Sequence, residues 1–278
     1  MEKVFIDVFR TAALQAGAVA RRLQGQVPLR NKLGGTPESA ALTAVDLATQ
    51  DVILLALRER MPDVAVDAEE DTESVRLFAP AGGGRPLVVI DPVDGTLNYA
   101  RGESEYAVMG SLVRDGVVTA AVVYFPEWGE VYTAARGAGC WRQRDREDGR
   151  APEPVAVSDG GSRVLVGPNA PKTLHAALSA EGFDVHVSRC SAVDSSAPAT
   201  GRASAALSLG RADRRRALAL LCTTEAGGVV RCGGRNWAGE DAEGGLEAPC
   251  IVAASADLAQ RIEHLLERWS RRRPWRRS

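Results

Sequence analysis

The apolar run Leu87-Val88-Val89-Ile90, followed at once by Asp91-Pro92-Val93-Asp94-Gly95-Thr96-Leu97-Asn98-Tyr99, decides the fold of this chain. A short apolar run rich in valine and isoleucine predicts a buried strand. Asp91 stands at the carboxyl end of that strand, and Pro92 stiffens the chain as it leaves. The strand therefore delivers one carboxylate to a sheet edge, and Asp94 supplies a second three residues later.

These two carboxylates predict a cation site. Asp91 and Asp94 repel each other unless a cation neutralises them, and oxygen-only ligands suit Mg²⁺ or Mn²⁺. Gly95 and Thr96 then open a predicted helix, whose first amides can hold a phosphate. Carboxylates beside anion-binding amides are what metal-assisted hydrolysis of a phosphate ester requires.

The same run has an inert alternative, an Asx turn followed by a capped helix, and the run alone favours it. Two other segments shift the balance towards chemistry. Glu69-Glu70 follows the alternating stretch Val64-Ala65-Val66-Asp67, which would place a further carboxylate at a strand end. Glu225-Ala226-Gly227-Gly228 follows an apolar helix and predicts a tight turn into a strand.

Outward from this run, hydrophobic periodicity and turn residues predict the other elements. In the first half they are a helix over 2–24, a mobile loop over 25–42, a helix over 46–60, a flexible connector over 71–86, strands over 107–113 and 117–125, and a hairpin of 130–134 with 139–141. In the second half they are strands over 163–167, 184–188, 204–209, 228–231 and 250–254, and helices over 172–181, 193–201, 214–226 and 256–270.

Strand and helix alternation predicts an α/β (α+β) layered fold. The segment 142–160 lacks periodicity and predicts a surface excursion at a boundary between two halves. We therefore expect an N-terminal α+β half over 1–150 that carries the metal-binding motifs, and a C-terminal α/β half over 151–270 that contributes to the substrate site. The arginine-rich tail 271–278 is expected to be disordered.

Composition excludes several functional classes. The 278 residues carry a formal net charge of −2, which gives no field to attract nucleic acid or an anionic membrane. No apolar run is long enough to span a membrane, and Met1-Glu2-Lys3-Val4-Phe5 lacks the features of a signal peptide. The five cysteines have neither zinc-site nor disulfide-framework spacing, so reduced, mostly buried thiols in a cytoplasm are expected.

The ordered motifs resemble the inositol monophosphatase family, part of a superfamily with fructose-1,6-bisphosphatases and 3′-nucleotidases. They are Thr43-Ala44-Val45-Asp46, Ala68-Glu69-Glu70, the run 91–99 and Glu225-Ala226-Gly227-Gly228. The similarity covers roughly residues 5–268. It implies an αβαβα layered sandwich, a homodimer, and a Mg²⁺-dependent phosphatase for which Mn²⁺ could substitute.

The resemblance also implies roles for individual residues. Glu69, Asp91, Asp94 and the Val93 carbonyl would be metal ligands, with Asp91 bridging two ions. Glu69 and Thr96 would orient the attacking water, and Asp46 would accept a hydrogen bond from Thr96. The amides of Gly95 and Thr96 would hold the phosphate during in-line attack by metal-activated water. The three histidines match no motif position.

One motif of the family is broken. A Trp-Asp pair normally precedes the Glu-Ala-Gly-Gly turn by ten to eleven residues and binds the second metal, but Arg214 and Arg215 stand there. Asp213 could occupy the ligand position after a local shift. Alternatively, the enzyme uses fewer metals, and the two arginines, Arg214 and Arg215, bind the substrate anion. In a third interpretation the chain keeps the fold and has lost most of its catalysis.

The substrate cannot be carried over from the family, because Cys190-Ser191-Ala192-Val193-Asp194-Ser195-Ser196 replaces its usual glycine-serine-alanine contact. Asp194 is expected to cap a helix, or alternatively to contact substrate. The leading hypothesis is a phosphatase for a small metabolite: an inositol, sugar or nucleotide 3′-phosphate. The alternative is a repurposed member that binds a phosphorylated metabolite with little turnover. A third and more distant one is polyanion binding through the tail.

Overall fold

The computed structural model describes residues 1–26, 30–31, 41–42, 44–80, 82, 84–145, 150–158, 161–210, 214–241, 243 and 245–271. Asp213, residues 272–278 of the predicted tail, and parts of the predicted segments 25–42 and 142–160 lie outside these residues. The described residues contain seven α-helices: α1 (Glu2–Leu23), α2 (Ala44–Arg60), α3 (Thr96–Ala100), α4 (Lys172–Ala180), α5 (Ser191–Thr200), α6 (Leu220–Glu225) and α7 (Ala256–Arg271). Two 3-10 turns cover Glu73–Leu77 and Arg215–Ala217.

The strands fall into two large sheets and one small pair. The pair consists of β1 (Arg30–Asn31) and β2 (Ala41–Leu42). The first sheet has the order β3 to β9: β3 (Ala65–Ala68), β4 (Leu87–Asp94), β5 (Ala107–Arg114), β6 (Val117–Phe125), β7 (Glu130–Ala135), β8 (Gly139–Arg144) and β9 (Glu153–Val155). The remaining strands are β10 (Arg163–Val166), β11 (Asp184–Val187), β12 (Ala205–Ser208), β13 (Val229–Cys232), β14 (Arg235–Asn236) and β15 (Cys250–Ala253). They form the second sheet in the order β11-β10-β12-β15-β13-β14.

Helices and sheets stack in five layers. Helices α1 and α2 cover one face of the first sheet, α5 and α6 lie between the two sheets, and α4 and α7 cover the far face of the second. One buried apolar cluster lies under the outer helices of each sheet, and a third surrounds the helix layer between the two sheets. The predicted αβαβα sandwich is therefore confirmed.

Strand β4 shows why the sheet can be covered on both faces. Its side chains alternate between two cores: Val88 and Ile90 pack with the α1 and α2 helices, whereas Leu87 and Val89 face the space between the sheets. A strand buried on both faces needs apolar residues at every position, and this run supplies them. The strand predicted over Leu87–Ile90 is confirmed and continues to Asp94.

Three predictions of local structure were wrong. The helix expected over 214–226 is a 3-10 turn at Arg215–Ala217 followed by α6. The excursion 142–160 contains β9, which pairs with β8 and extends the first sheet past residue 150. Cys232 and Cys250 form a disulfide, because β13 and β15 pair antiparallel with these two residues opposite each other.

The remaining cysteines, Cys140, Cys190 and Cys222, are free and buried, as expected. The division into halves at residues 150 and 151 stays a prediction. Over the residues that the structure describes, no helix is long and apolar enough to cross a membrane.

Close packing of α1 on the first sheet depends on Gly17. A Cβ added there would overlap the Tyr124 ring and lie 2.9 Å from Pro126 Cγ. We expect Gly17→Ala to lower the free energy of unfolding by about 1–2 kcal/mol, since overpacking outweighs the better helix propensity of alanine. Urea denaturation measures this change. Gly210→Ala, whose Cβ meets no atom within 4 Å, is the control and should stay within about 0.5 kcal/mol of wild type.

Candidate active site

The register of β3 against β4 brings two acidic residues together. These strands are parallel, and Ala68, the last residue of β3, lies opposite Ile90 of β4. The next residues along the chain are Glu69 and Asp91. Both side chains line one cavity, and the charge and hydrogen bond of Glu69 add to the effect of burial in raising the pKa of the Asp91 carboxyl.

Asp91 is an acid in an environment that disfavours its negative charge. It is 5% exposed, and its Oδ1 atom is buried without a hydrogen-bond partner. Burial raises the pKa of Asp91 well above its usual range, and the neighbouring carboxylates Glu69 and Asp94 raise it further. A cation bound at this point would remove both penalties, so the position suits a metal ligand.

Asp94 is held in place by the start of helix α5. Its Oδ2 accepts hydrogen bonds from the Ala192 amide (2.6 Å) and the Cys190 thiol (2.8 Å), and its Oδ1 accepts one from the Ser191 hydroxyl (2.8 Å). Burial raises the pKa of Asp94, and these hydrogen bonds oppose the rise. Oδ2 already accepts two hydrogen bonds, but Oδ1 keeps a further acceptor position, so Asp94 can still contribute to a cation site.

Thr96 links the strand end to helix α2. Its hydroxyl lies 2.9 Å from the Val93 carbonyl oxygen and 3.3 Å from Asp46 Oδ1. A hydroxyl has one proton, so it donates to one of these acceptors at a time. Asp46 and Thr96 are both buried. The structure thus places Asp46, Val93 and Thr96 together beside Asp91.

A cavity of about 370 Å³ joins these residues to the second sheet. Its lining includes Glu69, Asp91, Asp94, Gly95 and Thr96 from the first half of the chain. From the second half it includes Arg189, Ser191, Asp194, Ser208 and Arg215. None of the three histidines, which are all described, lies among the lining residues.

Arg215, which the sequence placed near the metals, does line this cavity. Its Nη2 donates to Asp67 Oδ1 and to the Ala68 carbonyl, both at 3.1 Å. Arg214 turns away, with Nε and Nη2 on Asp241 at 2.9 and 2.6 Å and Nη1 on Asp67 Oδ2 at 2.6 Å. Asp213, the other candidate for the second-metal position, lies outside the described residues.

Sequence reasoning missed Asp67 and Asp241, the partners of the two arginines. A usable signal existed for Asp67, since it precedes Glu69 by two residues on a strand, and such residues share a face. Asp241 gave no such signal, because its position depends on the long connection between β14 and β15. The prediction that Asp194 caps a helix was wrong, since α5 begins at Ser191 and Asp194 lies in its first turn.

Glu225 supports the fold and lies outside the cavity lining. As predicted, α6 ends at this residue and the Gly-Gly turn leads into β13. Its two carboxylate oxygens accept hydrogen bonds from the amides of Gly137 and Gly139, both at 2.9 Å. It therefore fastens the β7–β8 hairpin to the helix layer between the sheets.

The Glu225→Gln variant should lower the free energy of unfolding by about 1–2 kcal/mol, because its amide nitrogen would face a backbone N–H in place of an acceptor. Thermal denaturation measures the loss. Mg²⁺ affinity should remain that of wild type. A changed Mg²⁺ affinity with unchanged stability would contradict this structural role.

The donor set fits an oxygen-liganded divalent cation. Glu69, Asp91 and Asp94 supply carboxylates, and the Val93 carbonyl is adjacent. As the side chains stand, no three acidic, histidine or cysteine groups among the described residues converge closely enough to enclose an ion. The orphaned Asp91 Oδ1 is nevertheless the kind of atom that such an ion would satisfy.

The model of the inositol monophosphatase family matches residues 1–269 of this chain. A protein named Nus factor SuhB from Xylella fastidiosa is 29% identical over 282 residues, covering 96% of this chain and 95% of that protein. Inositol-1-monophosphatase from Rhizobium meliloti is 28% identical and covers 95% of this chain and 96% of its own length.

Solved structures agree on the fold. The extragenic suppressor protein SuhB from Bartonella henselae superposes with a TM-score of 0.77 at 23% identity, covering 94% of this chain and 97% of its own. The inositol monophosphatase of Thermotoga maritima gives a TM-score of 0.74 at 20% identity, covering 97% and 100%. At these identities the likeness establishes the fold alone.

Proposed function

Because this chain belongs to the inositol monophosphatase family, we propose that it is a Mg²⁺-dependent phosphatase that hydrolyses a small phosphate monoester. The observation that carries the proposal is the juxtaposition of Glu69, directly after β3, and Asp91, on the paired strand β4, with Asp94 on the same cavity. The relative from Rhizobium meliloti, named inositol-1-monophosphatase, supports the same activity.

Each residue of the site has a proposed role in hydrolysis. Glu69, Asp91, Asp94 and the Val93 carbonyl would hold Mg²⁺, or Mn²⁺ in its place. The chemistry that a bound divalent cation supplies is activation of a water and neutralisation of phosphoryl oxygens. Thr96 and Glu69 would orient the attacking water, with Asp46 as an acceptor for the Thr96 hydroxyl.

The phosphoryl group would lie at the start of α3. Thr96 is the first residue of that helix, so its amide has no partner inside the helix. The amides of Gly95 and Thr96 would hold the phosphoryl oxygens. Because α3 has only five residues, we attribute the binding to these local N–H groups and not to a helix dipole.

A panel of phosphate esters tests the proposal. An inositol monophosphate, a sugar phosphate and a nucleoside 3′-phosphate are each incubated with purified protein, in Mg²⁺ and in a chelator, and released phosphate is measured. We expect release from at least one ester, and only with the metal. Absence of metal-dependent release from all of them would argue against a phosphatase.

A second candidate function is binding of a phosphorylated metabolite without turnover. The observation that favours it is Arg215, a fixed positive charge on the cavity wall. The relative named Nus factor SuhB keeps this candidate open, because its name denotes no phosphatase. Calorimetry separates the two: tight binding of an ester that is recovered intact supports this second function.

The assembly and location also remain proposals. We propose a homodimer, and light scattering of the purified chain tests this oligomeric state. We also propose that the protein has no nucleic acid or membrane partner. The cytoplasmic location stays a prediction.

A further inference from the structure

We propose that Arg215 is a phosphate-binding residue that stands in for a second cation, so that this site holds a single divalent ion. The inference rests on the proposed function and names how its substrate is held. It starts from two residues that line one cavity, Asp91 and Arg215. Asp91 Oδ1 is a hydrogen-bond acceptor and Arg215 Nε is a donor. Both are buried without a hydrogen-bond partner.

Arg215 has hydrogen-bonding capacity left over. A guanidinium has five N–H donors, and Asp67 and Ala68 occupy Nη2 alone. Asp67 is also shared with Arg214, whose contact is shorter at 2.6 Å. The 3-10 turn that carries Arg215 packs against β4, the strand of Asp91. The Nη2 end of the guanidinium is thus fixed at the cavity wall, whereas its Nε atom has no hydrogen-bond partner.

A phosphate ester with one cation would satisfy both orphaned atoms. The cation would meet Asp91 Oδ1, and a phosphoryl oxygen would accept from Arg215 Nε. Planar guanidinium groups bind phosphate oxygens with well-defined geometry.

The chemistry of the arginine side chain indicates one ion in place of two. A second divalent ion would lie beside a guanidinium that cannot lose its proton. Arginine cannot ligate a cation, so Arg215 both removes the ligand and repels the ion.

The alternative is that Arg215 belongs to a purely structural network with Asp67, Arg214 and Asp241. A structural role predicts a loss of stability on Arg215→Ala without a specific loss of phosphate affinity. Arg231 offers a matched control, because its side chain is 29% exposed against 33% for Arg215 and is also paired with a carboxylate, that of Glu263. Arg231 does not line the cavity.

Two measurements test the inference, and neither needs turnover. Calorimetric titration with inorganic phosphate at saturating Mg²⁺ should show affinity at least about tenfold weaker in Arg215→Ala, intermediate in Arg215→Lys, and unchanged in Arg231→Ala. Electron paramagnetic resonance should count one Mn²⁺ per wild-type chain and a second in Arg215→Asp. Thermal denaturation in parallel shows that each variant is folded.

Wild-type phosphate affinity in Arg215→Ala, or two Mn²⁺ ions per wild-type chain, would overturn the inference. A weakening equal in Arg215→Ala and Arg231→Ala would do the same. A wild-type protein that releases no phosphate from any ester contradicts the proposed phosphatase instead, and it leaves the comparison of phosphate affinities intact.

Discussion

Replacing Asp91 with asparagine is expected to abolish Mg²⁺-dependent phosphate release while making the metal-free protein more stable. The two effects have one cause. Asp91 is 5% exposed and faces the carboxylates of Glu69 and Asp94, so its negative charge is costly until a cation arrives. Activity should fall at least about a thousandfold, the scale on which loss of a charged catalytic group acts.

The gain in stability follows from the direction of the pKa shift. The pKa of Asp91 is raised in the fold, so ionisation at neutral pH is less favourable there than in the unfolded chain. Asparagine never ionises, and the metal-free variant avoids that cost. We therefore expect its free energy of unfolding at pH 7 to be higher than that of the metal-free wild-type protein.

Adding Mg²⁺ should reverse the order of stability. Wild-type protein gains melting temperature on binding the ion, whereas Asp91→Asn does not respond. Asp145 provides the control, as a buried aspartate of the opposite kind: it pairs with Arg21 at 2.8 Å and its side chain is 6% exposed. Asp145→Asn should lose about 3 kcal/mol, because it leaves a charge unpaired. A metal-free Asp91→Asn protein less stable than wild type would contradict the argument.

Local sequence patterns predicted which acidic residues belong to the site. Leu87–Ile90 is apolar at every position, which predicts a strand buried on both faces with Asp91 directly after it. In the structure β4 continues to Asp94, so Asp91 lies within the strand. The acidic pair Glu69-Glu70 follows a second, alternating strand in the same way. That the two strands are neighbours and in register depends on long-range pairing, which the resemblance supplied and local periodicity could not.

What the sequence could not predict depends on contacts between distant segments. Cys232 and Cys250 are 18 residues apart, and only the pairing of β13 with β15 brings them together. Asp241 reaches Arg214 through a connection without periodicity. The helix expected at 214–226 is interrupted, although its composition suits a helix. A 3-10 turn forms at Arg215–Ala217 in its place, and Arg214 and Arg215 both donate hydrogen bonds to the distant Asp67.

Replacing Gly95 with alanine, the smallest possible substitution, is expected to disturb the site directly. It joins β4 to α3 with a φ of 81°, in the left-handed region. A Cβ there would lie 2.8 Å from the Glu105 carbonyl oxygen and 3.3 Å from Cys190 Cβ. The first neighbour is backbone and cannot rotate away, so accommodation requires the turn at Gly95 to move away from the Glu105 backbone.

Gly95→Ala should therefore lose both stability and activity. The left-handed conformation costs about 1–2 kcal/mol in an L-residue, and overpacking adds about 1–3 kcal/mol. Because Thr96 follows directly, displacement of α3 by about 1 Å should lower phosphate release about a hundredfold or more. Urea denaturation and the Mg²⁺-dependent rate measure the two losses.

Gly102→Ala separates the backbone strain from the collision. Gly102 has a φ of 74°, close to that of Gly95, but a Cβ there meets no atom within 4 Å. It should therefore lose only the conformational part, about 1–2 kcal/mol, and keep its rate of phosphate release. If the two variants lost equal activity, the close approach of Gly95 to Glu105 and Cys190 would have no part in positioning Thr96. A rate loss confined to Gly95→Ala would instead tie catalysis to the separation between the start of α3 and the Cys190 loop.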